Sequence, residues 1–129
     1  LQYQKTTTLC RIGDKIMTFE REFPDFDDDA TFEQILDTVK DYGFEDISWH
    51  NNTMPCIGKK FENDFSLVIW VDYKDPNKSQ FVDQRKNESM RRFMFGETDQ
   101  DGEYIEEWQY DNVEALLSHV SSVMMPLTK

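Results

Sequence analysis

Two histidines and two cysteines are all this chain offers for imidazole or thiol chemistry. Trp49, His50 and Cys56 fall in one stretch, so a thiol could find a proton acceptor beside it and become a nucleophile. That stretch is a candidate site for a small enzyme or ligand-binding domain. The simpler reading is a loop histidine and a half-buried cysteine. His119 lies outside the apolar stripe of the last predicted helix and is expected to be partly solvated. Cys10 and Cys56 lack the paired C-x-x-C spacing of zinc sites. They are too few for a disulfide framework and are expected as free thiols in a reducing cytosol. There is no G-x-S-x-G elbow, no phosphate loop and no dinucleotide fingerprint. Five scattered glycines cannot build one.

The carboxylates come next. Asp99-Gln100-Asp101-Gly102 looks like the middle of a calcium loop. Glu97, Asp99 and Asp101 fall on ligand positions and Gly102 on the turn. The position that should close the site with a bidentate Glu is Trp108, and a strand rather than a helix follows. A charged hairpin tip is therefore expected, with no metal and no cofactor. Catalytic carboxylate pairs need environments that push their pKa values apart, and no pair stands out here. No catalytic residue is assigned.

Charge is the strongest signal. Lys+Arg 14 against Asp+Glu 26 gives a net charge of −12. Nucleic-acid affinity comes from neutralised phosphates, which this surface repels. An anionic membrane is disfavoured for the same reason. A basic protein is the partner such a surface attracts. The acids are also clustered: residues 97–114 hold eight and no Lys or Arg, and residues 20–33 hold seven with one Arg. Phe26, Tyr104, Trp108 and Tyr110 are interleaved with them. Carboxylates beside aromatic anchors suit a protein interface. A field of one sign also speeds association with an oppositely charged partner. The competing reading places the rings in the core and leaves the acids as a solvated coat.

The elements that must position these residues are legible from periodicity. The length suits one domain spanning residues 1–129. At 38 % hydrophobic and 14 % aromatic residues, the chain can build a core. No apolar run approaches a membrane span, and the first nine residues are too polar for a signal peptide. Three glycosylation sequons, at Asn51, Asn77 and Asn87, would matter only in a secreted eukaryotic protein. Residues 3–12 and 15–23 read as a hairpin around Gly13-Asp14, stopped by Pro24. Phe32, Ile35, Leu36, Val39 and Tyr42 form one helical face. Thr31 with Gln34, or Asp29, is its predicted cap, and Gly43 its end. Residues 44–49 read as a short strand and 51–60 as a loop with Pro55 and Gly58. Residues 65–73 are the clearest strand, central and covered on both faces. Residues 80–83 are expected to resume the sheet. Residues 91–97 and the stretch from Glu103 form a hairpin about Asp99 to Gly102. Asp111 with Glu114 caps a final helix striped by Val113, Leu116, Leu117, Val120, Val123 and Met124, which Pro126 ends. The expected fold is α+β: a single antiparallel sheet of about five to seven strands with two helices packed against it.

The C-terminal half brings these parts together. It has an aromatic strand, Phe65-Ser66-Leu67-Val68-Ile69-Trp70-Val71-Asp72-Tyr73. An acidic hairpin follows, Asp99-Gln100-Asp101-Gly102-Glu103-Tyr104-Ile105-Glu106-Glu107-Trp108, then Asp111 and the helix through Leu116 and Leu117. In this plan it resembles the immunity proteins of bacterial contact-dependent inhibition and related polymorphic-toxin systems. The N-terminal half adds no likeness. The resemblance implies a cytoplasmic protein that binds the C-terminal toxin domain of a cognate effector, commonly a nuclease with a basic active site. It implies no contact with nucleic acid or membrane, and its family fixes no interface residue by motif. Charge and aromatics single out Asp99, Asp101, Glu103, Glu106, Glu107 and Trp108, with Asp27, Asp28 and Asp29 as a second patch. Two alternatives have distinct signatures. A phage-type DNA mimic that blocks a nucleic-acid-binding complex would tolerate several basic partners. An enzyme or ligand carrier would depend on His50 and Cys56.

Overall fold

The computed structural model describes residues 18–127 of the chain. The fold is α+β, built on one open antiparallel sheet in the order β1-β2-β3-β4-β5. The strands are β1 (Glu45–Asp46), β2 (Cys56–Lys60), β3 (Ser66–Val71), β4 (Phe93–Thr98) and β5 (Tyr104–Tyr110). The helices are α1 (Thr18–Glu22), α2 (Asp29–Val39), α3 (Val82–Lys86) and α4 (Val113–Leu127). Each strand pairs with the next one in sequence, so every connection is local.

Helices α2 and α4 cover one face of the sheet. Phe32, Ile35 and Val39 of α2 and Leu116, Val120 and Met124 of α4 are buried in one cluster with Ile57, Ile69, Val71, Phe93 and Phe95. Both helices carry the predicted stripe, because apolar residues three and four apart share a face. Burying each such side chain contributes roughly 1.5–3 kcal/mol. The cap of α2 is Asp28, one residue before the predicted Asp29. Its carboxylate accepts the Thr31 N–H at 3.3 Å and the Thr31 hydroxyl at 2.7 Å. Gly43 closes the helical segment with φ of 99°. At α4, Asn112 rather than Asp111 accepts the Ala115 N–H, at 2.8 Å. This helix runs on through Pro126 to Leu127.

Strand β3 is central, as its bulky residues require. Leu67, Ile69 and Val71 point into the helix-covered core. On the other face Trp70 is only half-buried, in one cleft with Phe81 and Met90 from the chain on either side of α3. Residues 3–12 of the predicted N-terminal hairpin lie outside the described residues. Three further expectations change. The second half of that hairpin is not a strand, because Thr18–Glu22 is helical. Phe19 and Phe23 sit four apart and are both buried, and the Phe23 N–H meets the Phe19 carbonyl at 2.8 Å. Residues 56–60 are strand β2 rather than loop. Gly58 serves close approach there, since a Cβ would lie 2.6 Å from Ile47 Cδ1. Residues 80–83 do not resume the sheet; α3 begins at Val82.

The segment 72–92 is held by a buried carboxylate. Asp72, 0 % exposed, accepts from Ser79 Oγ, Arg85 Nη1 and the Tyr73 N–H at 2.7, 2.7 and 2.8 Å. Arg85 also donates to the Tyr73 carbonyl at 2.8 Å. A buried ion pair stripped of one member leaves an uncompensated charge. Arg85→Ala should therefore lower the unfolding free energy by about 3–5 kcal/mol in urea titration. The double variant Asp72→Asn with Arg85→Met should lose less. An unchanged midpoint for Arg85→Ala would show that the pair carries no structural load.

Candidate functional site

The two acidic clusters have different fates. In the first, Asp27 accepts the backbone N–H groups of Lys74 and Asp75, each at 2.8 Å. Asp25 accepts the Tyr73 hydroxyl at 2.8 Å. Asp28 pairs with Arg92 at 3.1 Å besides capping α2. Burial pulls the Asp28 carboxyl upward, but hydrogen bonds from Thr31 and the Arg92 guanidinium outweigh it and hold its pKa below the ordinary value. Asp27 and Asp28 thus pin the segment 72–92 to the start of α2. Of Asp27, Asp28 and Asp29, only Asp29 is exposed. Phe26 is core, packed edge-on against Phe19, Phe32 and Tyr73.

The second cluster stays free. Asp101, Glu103, Glu106 and Glu107 are exposed, while Glu97 and Asp99 are half-exposed. None of these six forms a salt bridge among the described residues. Asp99 builds the turn: its Oδ1 accepts the N–H groups of Asp101 at 2.9 Å and Glu103 at 3.0 Å. Gly102 supplies the positive φ, 83°. This accounts for the calcium-loop likeness as turn chemistry. Among the described residues, no group of three or more His, Cys, Asp or Glu is placed to hold a metal ion. Asp111, at the far end of the hairpin, pairs with Arg91.

Strand β5 is the sheet edge and carries Glu106 and Glu107, with Glu103 just before it. Its partner β4 pairs Glu97 opposite Glu106 and Thr98 opposite Tyr104, so the register shifts and Ile105 is the extra residue. A bulge changes the face of whatever lies beyond it. Trp108 and Tyr110 therefore point under α4, while Tyr104 lies on the opposite face. There its ring crosses Gly96, where a Cβ would come within 2.8 Å, and its hydroxyl accepts the Trp70 indole N–H at 2.6 Å. Ile105 remains 48 % and Tyr104 41 % exposed, among Glu103, Glu106 and Glu107.

Trp108 is less open than an interface anchor should be. Its ring lies 5.6 Å from Phe95 and 4.6 Å from His119. The Tyr110 hydroxyl and His119 Nδ1 are 2.5 Å apart. Burial lowers the His119 pKa, which favours the neutral ring in this nest. The exposed apolar residues beside the acids are Tyr104 and Ile105 instead. Ile105 was not singled out from sequence, because only the bulge turns it outward.

The segment around His50 and Cys56 does not assemble a dyad. His50 Nδ1 engages Glu22 Oε1 at 2.7 Å, and its backbone N–H donates to the same oxygen at 2.9 Å. Burial would raise the Glu22 carboxyl, but its bonds with His50 outweigh that and lower it. The Cys56 thiol is buried and faces the Ile57 carbonyl at 3.8 Å. Burial, with Asp46 adding to it, pushes this thiol well above its ordinary value, the reverse of what a nucleophile needs.

Two outcomes follow. Trp108→Ala should lower stability by about 3 kcal/mol, read as a fall in melting temperature. Normal stability would return Trp108 to the surface. In a Cys10→Ser background, native Cys56 should react with iodoacetamide no faster than the protein unfolds. Rapid alkylation at neutral pH would revive the thiol site.

No protein-family model matches this chain, and neither a curated protein nor a solved structure matches it.

Proposed function

We propose that this chain is an acidic immunity protein that binds and neutralises a cognate toxin domain, a basic nuclease of a contact-dependent inhibition or related polymorphic-toxin system. The observation that carries this reading is the edge strand β5. It holds Glu106 and Glu107, with Glu103 just before it, without ion pairs among the described residues and around exposed Tyr104 and Ile105. It also sets Glu106 directly opposite Glu97. Like charges on facing residues are destabilising. A cationic partner relieves that repulsion on binding.

A nuclease gathers Lys and Arg to hold phosphates, so it presents the charge this edge attracts. The field from a net charge of −12 speeds the encounter. Specificity comes from the apolar contacts at Tyr104 and Ile105 and from the positions of the carboxylates. Asp27 and Asp28 belong to the scaffold in this reading, and Asp29 is the member of that patch left for a partner.

Where a toxin domain is encoded next to this chain, co-expression with it should restore growth, and co-expression with an unrelated basic toxin should not. Protection against several unrelated basic toxins would favour a nucleic-acid mimic. With the purified toxin domain, Glu106→Lys with Glu107→Lys should slow association about tenfold or more, and most of the difference should vanish at high salt. An unchanged association rate would remove β5 from the interface.

A further inference from the structure

We propose that β5 is a strand-pairing edge. An extended segment of the basic partner adds to it as a sixth strand and lodges apolar side chains in the cleft beside it. This rests on the reading of the chain as an acidic partner-binding protein, and it specifies how the partner is held.

The edge comes first. β5 is last in the sheet order, so no strand among the described residues pairs with its outer N–H and C=O groups. At seven residues it is the longest strand of the sheet. A long open edge invites pairing unless something blocks it. Here the block is selective. A second copy of β5 would bring Glu103, Glu106 and Glu107 against their own kind. A cationic strand meets no such barrier.

The cleft is the second observation. It has a volume of about 310 Å³ and lies on the sheet face opposite α2 and α4. Trp70 and Met94 form its floor, and Met54, Phe81 and Met90 its walls. It reaches β5 at Glu107 and Gln109. Its volume is at the low end for small-molecule sites, roughly 300–1,000 Å³, and suits one or two side chains. Methionine walls adapt to different apolar shapes. The cleft is held in form on two sides. The Trp70–Tyr104 hydrogen bond fixes one wall, and the Asp72–Arg85 pair fixes the segment bearing Phe81 and Met90.

Strand alternation then defines the occupant. Successive side chains of an added strand point to opposite faces. Those on the cleft side meet Met94, Trp70 and Glu107. Those on the other side meet Glu106 and, behind it, Glu97. The matching segment alternates apolar residues with Lys or Arg. Main-chain bonds supply affinity in this mode, and the alternate pockets supply specificity.

The test uses the full chain, isotope-labelled, and three capped peptides of equal length. One alternates lysine with leucine. The second is the same peptide N-methylated at every other backbone amide. The third is oligolysine. The alternating peptide should bind about tenfold or more tighter than either control. It should also slow hydrogen exchange at the β5 amides that face away from β4. Met90→Glu, a change in the cleft wall, should bring its affinity down to that of oligolysine. Equal binding of the N-methylated peptide would overturn strand pairing and leave the acidic surface standing. Equal binding of oligolysine, or indifference to Met90→Glu, would overturn the cleft. Failure of all three peptides to bind would overturn the acidic-surface reading as well.

Discussion

The packing of Trp108 and Tyr110 beneath α4 is the contact on which the acidic edge depends. Phe95, Trp108, Tyr110 and His119 form one nest, with ring centroids 4.6 to 5.8 Å apart around His119. A strand slipped by one residue turns every side chain to the other face. Burial of these two rings therefore sets the register of β5, and the register sets where Glu106 and Glu107 point. The bulge at Ile105 then lets Tyr104 cross to the far face without disturbing the nest. Stability and recognition meet in one strand: its C-terminal half is anchored, and its N-terminal half is exposed.

The second lock is polar. The buried carboxylate of Asp72 is paired by Arg85 and bonded by Ser79. Arg92 ties the Asp72 carbonyl to Asp28 at the start of α2. Asp27 accepts the backbone N–H groups of Lys74 and Asp75. These links hold the segment 72–92, which includes α3, on the sheet face opposite α2 and α4, where it helps form the cleft beside β5. Asp27 and Asp28 thus use their charge inside the molecule, whereas Glu103, Glu106 and Glu107 are exposed. The Asp28 carboxyl, lowered in the fold, adds stability that is complete above its unfolded pKa. That contribution is lost as the pH falls through the lower folded value.

The parts of the fold set by local pattern could be read directly from the residues. The stripes of α2 and α4, the central strand β3 and the turn at Asp99 to Gly102 all follow from spacing and turn chemistry. The parts set by distant contacts could not. Gly58 and Pro55 carry loop signals, yet Gly58 sits in β2 because Ile47 presses on it. Phe19 and Phe23 fit a strand by alternation and a helix by fourfold spacing, and burial beside Phe32 selects the helix. The site shows the same division. Composition marks both acidic clusters alike. Only the tertiary fold separates Asp27 and Asp28, which bind backbone and Arg92, from Glu106 and Glu107, which bind nothing in the described residues. The exchange of Trp108 for Tyr104 and Ile105 as exposed rings and apolar contacts hangs on one bulge.

The central claim is that a cationic protein docks on the outer edge of β5. Hydrogen exchange of this chain, free and with the alternating lysine–leucine peptide bound, tests that claim most directly. The account predicts new protection concentrated in residues 103–109, with the exposed flanks of α2 and α4 unchanged. Protection confined to those helices, with β5 exchanging as in the free protein, would contradict it.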